Sequence, residues 1–140
     1  MSQGESIDWA ALVAEAKAAR ANAHAPYSKY RVGAAVLSKS GRVYRGCNVE
    51  NASYGLTLCA ERSAIAQMIA AGERELAAIV VVTEGPEPGP PCGLCRQMMA
   101  EFAGDRLPIA LATSQNDAPS RITSLGALFP EPFRKDFVEP

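Results

Sequence analysis

The sequence predicts an α/β fold in which helices are layered on a sheet. Three observations lead there. Short apolar runs suited to strands alternate with longer stretches of helical periodicity, in the order α-β-β-α-β-α-β. Strands separated by helices need crossover connections, which pack the helices on the sheet. The 140 residues, 48% of them apolar, suit one domain, residues 1–140, with a sizeable core.

Residues 1–5 are mostly polar and expected to fray. Ser6 is the expected N-cap of a helix over 6–23, in which Trp9, Leu12, Val13 and Ala16 share an apolar face, alanines add helix propensity and Pro26 sets the limit. The run 32–37 is short and apolar enough for a strand buried on both faces, with Gly33 relieving crowding. Residues 38–41 read as a turn and 43–47 as the returning strand of a hairpin. Residues 48–57 form a polar loop rich in Asn and Ser, where binding groups tend to sit, and Gly55 there permits a turn or brings backbone close to a ligand. A helix over 59–71 carries Ala60, Ala64, Ile65 and Met68 as its apolar residues, and Gly72 stops it. Residues 76–82 are a strand. The loop 84–91 is constrained by four prolines and two glycines. A helix over 92–103, ended by Gly104, and a strand over 107–112 follow. Arg121-Ile122-Thr123 is a weak signal for a fifth strand. The tail from 124 carries Leu125, Leu128, Phe129, Phe133 and Phe137 among prolines, so it is expected to pack on its own domain or on a neighbour.

The net charge of −1 and pI near 5.8 offer no basic field, which disfavours a polynucleotide partner. No run approaches the roughly 18 apolar residues of a membrane span, and the start lacks the pattern of a secretory signal. Four cysteines, three of them assignable to a metal, read as a cytoplasmic protein and not a disulfide scaffold.

Those three are Cys59, in Thr57-Leu58-Cys59-Ala60-Glu61-Arg62, and Cys92 and Cys95, in Pro91-Cys92-Gly93-Leu94-Cys95-Arg96. A catalytic zinc takes three protein ligands and keeps its fourth position for water, whereas a structural zinc is closed by four. Glu61 lies about 200° around a helix from Cys59, so it faces the open position better than it ligates. There it would act as general acid and base, as in zinc deaminases whose non-ligand Glu accompanies a P-C-x-x-C signature. A zinc closed by Cys47 as fourth ligand is the main competing reading, but it leaves Glu61 without a purpose. A redox reading of the C-x-x-C pair leaves Cys59 unexplained. His24, the only histidine, has no partner ligands nearby and reads as a surface or helix-terminal residue.

Cys59-Ala60-Glu61 and Pro91-Cys92-Gly93-Leu94-Cys95-Arg96-Gln97 resemble the small cytidine deaminases that act on free nucleosides. So do Ala25-Pro26-Tyr27-Ser28-Lys29-Tyr30, Val32-Gly33-Ala34-Ala35 and Gly46-Cys47-Asn48-Val49-Glu50-Asn51-Ala52. The resemblance covers roughly residues 10–133. It implies a three-layer α/β/α fold, with a mixed sheet of about five strands, helices on both faces and the two zinc-bearing helices side by side on one of them. It also implies one Zn²⁺ per chain, Asn48 and Glu50 on the ribose, the Ala60 N–H on the pyrimidine carbonyl, Tyr30 flanking the sugar or base, and Tyr54 and Phe133 at the mouth, Phe133 being donated by an adjacent subunit. The implied assembly is a homo-oligomer, specifically a tetramer. The implied reaction converts cytidine and deoxycytidine to uridine and deoxyuridine with release of ammonia, as in pyrimidine salvage. A deaminase of a related compound such as blasticidin S and a zinc protein without catalysis are the alternatives; Asn48-Val49-Glu50 favours cytidine, and Cys59, where nucleic-acid deaminases typically carry His, argues against DNA or RNA.

Three thiolates on Zn²⁺ leave a net charge of −1, which opposes acidification of a bound water. The cysteines therefore need positive compensation. Helix N-termini provide part of it, and Arg62 is placed to donate hydrogen bonds to ligand sulfurs.

Overall fold

The computed structural model describes residues 6–138. Residues 1–5, expected to fray, lie outside the described residues, as does the Phe137 side chain. The elements are α1 (Trp9–Arg20), β1 (Gly33–Ser38), β2 (Val43–Cys47), α2 (Ala60–Ala70), β3 (Leu76–Thr83), α3 (Gly93–Phe102), β4 (Pro108–Thr113), β5 (Arg121–Ser124) and α4 (Leu125–Leu128).

The strands form one mixed sheet in the order β2-β1-β3-β4-β5, so the weak signal at 121–123 is a true fifth strand. β1 pairs antiparallel with β2 and with β3, β3 is parallel to β4, and β5 is antiparallel to β4. β2, β3 and β4 consequently run the same way. The units β2-α2-β3 and β3-α3-β4 are successive crossovers stepping across the sheet in one direction, and crossovers of one hand then share a face.

Side chains on that face of the sheet, among them Val36, Ile79, Val81, Ile109 and Leu111, pack under Ile65 and Met68 of α2 and Met99 of α3. The alternating set Ala35, Leu37, Ala78, Val80, Val82, Ala110 and Ala112 packs under Leu12, Val13 and Ala16 of α1 on the other face. This is the expected three-layer α/β/α arrangement, and β1, an interior strand between β2 and β3, is buried along its whole length.

Two glycines set how closely helices approach the sheet. A side-chain carbon on Gly33 would sit 2.0 Å from the Ala16 carbonyl oxygen, so α1 rests directly on β1, as the crowding argument anticipates. One on Gly46 would sit 2.5 Å from Ala64 N and 2.8 Å from Ala60 O. The first turns of α2 therefore press backbone against β2.

Several boundaries differ from expectation for physical reasons. The N-cap of α1 is Asp8, not Ser6: Asp8 Oδ1 accepts the Ala11 N–H at 3.1 Å. The helix ends at Arg20, short of 23 and well before Pro26, because the chain turns off to pair its backbone elsewhere. His24 N–H donates to Asn48 O at 3.0 Å, and Glu50 N–H to His24 O at 2.8 Å. α2 ends as expected at Gly72, with φ +97 and the paired bonds Gly72 N to Ile69 O and Glu73 N to Met68 O of a Schellman cap. α3 does not end that way: its C-cap, Ala103, is extended. Its last carbonyls are taken instead by a distant side chain, since Arg134 Nη1 donates to Ala100 O at 2.6 Å and Ala103 O at 2.8 Å while Nη2 pairs with Asp105.

Arg134 is one of three hooks that hold the tail on α3. Arg96 Nη1 donates to Leu128 O at 2.8 Å, and Gln97 Nε2 to Phe133 O at 2.7 Å. The tail thus packs on its own domain, with Leu125 fully buried and Leu128 and Phe129 against the core.

Gly46→Ala is expected to cost about 1–3 kcal/mol, because the new methyl meets α2 backbone at Ala60 and Ala64, which cannot yield as a side chain would. Gly55→Ala, with nothing within 4 Å of the added carbon, should stay within about 0.5 kcal/mol. Urea unfolding of both variants compares them, and equal midpoints would show that the α2–β2 contact relaxes freely.

Candidate metal centre and active site

α2 and α3 begin at the same end of the sheet, and each begins at a cysteine. Cys59 is the N-cap of α2, Cys92 the N-cap of α3, and Cys95 lies in the first turn of α3. The three sulfurs lie within 4.8 Å of one another. Cys59 Sγ is 3.8 Å from Cys92 Sγ, which is 3.4 Å from Cys95 Sγ, and all three cysteines are free thiols. Tetrahedral zinc with bonds of about 2.3 Å spaces its sulfurs at about 3.8 Å, so the trio fits the ion. It is the metal-capable group found among the described residues, and it does not include Cys47, half-buried on β2, or His24.

Electrostatics single out Cys59. Hydrogen bonding from Cys95 and then from Arg62 outweighs burial and brings its thiol down to about 5. Cys95, fully buried, is pushed up, first by its hydrogen bond with Cys59 and then by burial. Arg62 Nη2 donates to the Thr57 carbonyl at 3.0 Å and lies 3.8 Å from Cys59 Sγ. Its Nε is buried without a hydrogen-bond partner among the described residues. The positive charge that three thiolates call for is therefore in contact with the cluster.

Glu61, in the first turn of α2, is only 4% exposed. Burial pushes its carboxyl up, and the negative Cys59 adds to the shift. Ala60, fully buried, is the first residue of α2, so its N–H has no intrahelical acceptor.

A cavity of about 470 Å³, within the size range of small-molecule sites, is lined by Tyr27, Ser28, Glu50, Tyr54 and Thr57. Thr57 links it to the cluster, because its carbonyl accepts from the same Arg62 nitrogen that approaches Cys59. The Tyr27 and Tyr54 rings meet edge to face, with centroids 6.0 Å apart. Glu50 Oε1 accepts the N–H groups of Tyr27 and Ser28 at 2.9 and 3.1 Å, and Oε2 accepts the Ser28 hydroxyl. Ser28, above all, holds the Glu50 carboxyl below its usual range.

Other expected residues are placed differently. Asn48 does not line the cavity. Its Nδ2 donates to Tyr30 O and its Oδ1 accepts Val32 N–H, both at 2.9 Å, so Asn48 and Glu50 together clamp the 27–32 segment. The Tyr30 hydroxyl points at the 84–91 loop, 3.1 Å from where a side-chain carbon on Gly89 would sit. Phe133 is 61% exposed and outside the cavity lining of its own chain. Tyr27, Ser28 and Thr57 are cavity residues that reading for the site did not single out. The signal for Tyr27 and Ser28 was their position within the Ala25-Pro26-Tyr27-Ser28-Lys29-Tyr30 stretch; Thr57 contributes through its backbone, which composition cannot reveal.

Residues 8–111 match the family model described as the cytidine and deoxycytidylate deaminase zinc-binding region. The chain belongs to this deaminase family. It is similar to a cytidine deaminase of Sporosarcina psychrophila, 42% identical over 130 residues that cover 93% of this chain and 94% of that protein. It also resembles a cytidine deaminase of Halalkalibacterium halodurans, 49% identical over 79% of this chain and 84% of that one. The crystal structure of the cytidine deaminase from Burkholderia pseudomallei superposes with a TM-score of 0.84 at 50% identity, covering 91% of this chain and 100% of that chain. The deaminase-family match spans the zinc-binding region, and the three-thiol group is what this chain offers the ion there.

Arg62→Gln removes the cation beside Cys59, so zinc should leave the protein at least several-fold faster when challenged with a chromogenic chelator. Equal release rates from the two proteins would end the charge-compensation argument.

Proposed function

We propose that this chain is a zinc-dependent hydrolase that converts cytidine and deoxycytidine, with one water, to uridine or deoxyuridine and ammonia. The observation that carries this reading is a buried carboxyl, Glu61, two residues from one thiol of a three-cysteine cluster gathered at two helix starts. Relatives named as cytidine deaminases support the substrate class.

Cys59, Cys92 and Cys95 would hold the zinc, which when bound supplies a Lewis acid that makes water an effective nucleophile at neutral pH. Glu61 takes up the proton that the attacking water loses, at a carboxylate oxygen. It passes that proton to the pyrimidine ring nitrogen, then takes the second water proton from the hydroxyl that addition leaves on the ring and passes it to the departing amine, so it must work in both protonation states. Burial suits it to that task, because it raises the carboxyl's hold on a proton above that of a free carboxylate. The Ala60 N–H donates to the pyrimidine carbonyl oxygen. Glu50 accepts a ribose hydroxyl, and Asn48, outside the cavity lining but keeping one amide hydrogen and one lone pair beyond its clamp, is assigned to the same sugar once the nucleoside is bound. Tyr30 and Tyr54 flank the nucleoside, and Phe133 completes the mouth of a neighbouring subunit's site.

That last role belongs to a homo-oligomer, specifically a tetramer. The exposure of Tyr54, Leu56, Leu94, Ile122 and Phe133 supports an assembly that covers them. The same reading treats residues 1–140 as one domain and places the enzyme in the cytoplasm, in pyrimidine salvage. No helix of the described residues is long and apolar enough to cross a membrane.

Zinc-loaded protein should consume cytidine and deoxycytidine in an ultraviolet absorbance assay, with cytosine and blasticidin S as comparison substrates. Glu61→Ala should lose at least about 10²–10⁴-fold in kcat. Turnover of blasticidin S in preference to cytidine would move the substrate assignment, and silence on all four substrates with zinc bound would remove the catalytic reading. Light scattering during gel filtration should give a mass four times that of the 14.8 kDa chain.

A further inference from the structure

We infer that Ser28 is a positioning residue for nucleoside binding: its hydroxyl fixes the Glu50 carboxylate so that one lone pair is left facing the cavity for a sugar hydroxyl. The inference rests on the reading of Glu50 as the sugar's acceptor.

A carboxylate offers about four lone-pair sites. On Glu50, two are filled at Oε1 by the N–H groups of Tyr27 and Ser28, and one at Oε2 by the Ser28 hydroxyl. One remains, on Oε2, in a residue that lines the 470 Å³ cavity together with Ser28 itself. The two N–H bonds meet at one oxygen, so the carboxylate can still pivot about Oε1 through combined changes of its side-chain torsions, the terminal one being intrinsically soft. The Ser28 hydroxyl is the donor that holds the other oxygen.

Ser28 is itself oriented. Its Oγ accepts the Tyr30 N–H at 3.0 Å, which fills a lone pair and turns the hydroxyl hydrogen toward Glu50. The resulting chain, Tyr30 N–H to Ser28 O–H to Glu50, polarises each member along one direction. Asn48 holds the same backbone from its far side, at Tyr30 O and Val32 N, so the donor's base does not drift. The remaining Oε2 site accepts and cannot donate, and therefore selects a ligand hydroxyl that donates. Removing the Ser28 hydroxyl leaves Glu50 charged and able to bind, but no longer aimed.

The test compares wild type, Ser28→Ala, Ser28→Thr and Glu50→Gln in kcat and KM for cytidine, and in kcat/KM for cytidine against 2′,3′-dideoxycytidine, whose sugar lacks the hydroxyls. Ser28→Ala should raise KM for cytidine about tenfold, the effect of losing a charge-assisted hydrogen bond, with kcat falling much less. The preference for cytidine over the dideoxy compound should shrink by a similar factor, and Ser28→Thr should restore both. If Ser28 merely staples the loop, Ser28→Ala will lower turnover of both compounds equally and leave their ratio alone, which overturns the inference. If Glu50→Gln raises KM while Ser28→Ala does not, the inference fails and the Glu50 reading stands. If Glu50→Gln leaves KM and the ratio unchanged, both fall. Should Ser28→Ala not fold, Ser28→Cys, a weaker donor of similar shape, carries the same comparison.

Discussion

β2, β3 and β4 run in one direction, and the two crossovers that join them step across the sheet the same way, so α2 and α3 share a face and start at the same end of the sheet. The carboxyl ends of such strands are where α/β folds collect ligands, because helix N-termini with unpaired N–H groups converge there. Here the convergence brings together Cys59 and Cys92, residues far apart in the chain, as N-caps of neighbouring helices. Neither cysteine uses its side chain to cap its helix. The sulfurs are left for a metal while the helix ends still favour their negative charge.

Holding that convergence takes contacts remote from the sulfurs. Gly46 lets the backbone of α2 reach β2, which sets the height of Cys59 above the sheet. At the other helix, Arg96 donates from Nε to Pro91 O at 2.8 Å, immediately before Cys92, and from Nη1 to Leu128 O in the tail. The start of α3 and the docked tail are thereby parts of one hydrogen-bonded unit. Arg134 closes the other end of the same helix. A tail of this kind supports the site although Phe133 contributes nothing to the cavity of its own chain.

The parts legible in the sequence were those carried by local pattern. Helical periodicity and Gly72 located α2, uninterrupted apolar runs located β1 and β3, and the spacing of three thiols around Glu61 located the metal group that the fold assembles. What escaped was decided by groups distant in sequence or by backbone. Nothing near Gly104 tells that the end of α3 is capped by Arg134. Ser6 and Asp8 are both competent caps, so side-chain type does not choose between them; the chain enters α1 at Asp8. The short helix Leu125–Leu128 has too few residues to show a period. Asn48 and Glu50 stood out as ligand contacts, but their hydrogen bonds to residues 27–32 exist only once the hairpin and the 25–32 loop lie side by side.

The two glutamates of this region illustrate why residue type alone does not determine a role. Both lie on the segment that leaves β2 and begins α2, and they would titrate alike in an unfolded chain. Folding separates them. Glu61 loses its water and acquires a negative neighbour, which pushes its proton affinity up. Glu50 gains hydrogen-bond donors on both oxygens, which pulls its affinity down. A carboxyl of the first kind holds a proton more readily than a free one, whereas one of the second kind gives its proton up more readily and suits a fixed acceptor. In the proposed roles, exchanging their surroundings would loosen the proton carrier's hold on its proton and favour the neutral form of the sugar's acceptor. Under the proposed roles, the division of labour between proton transfer and recognition is made by the burial of α2 and by the clamp on the 27–32 loop and not by the side chains, which are identical.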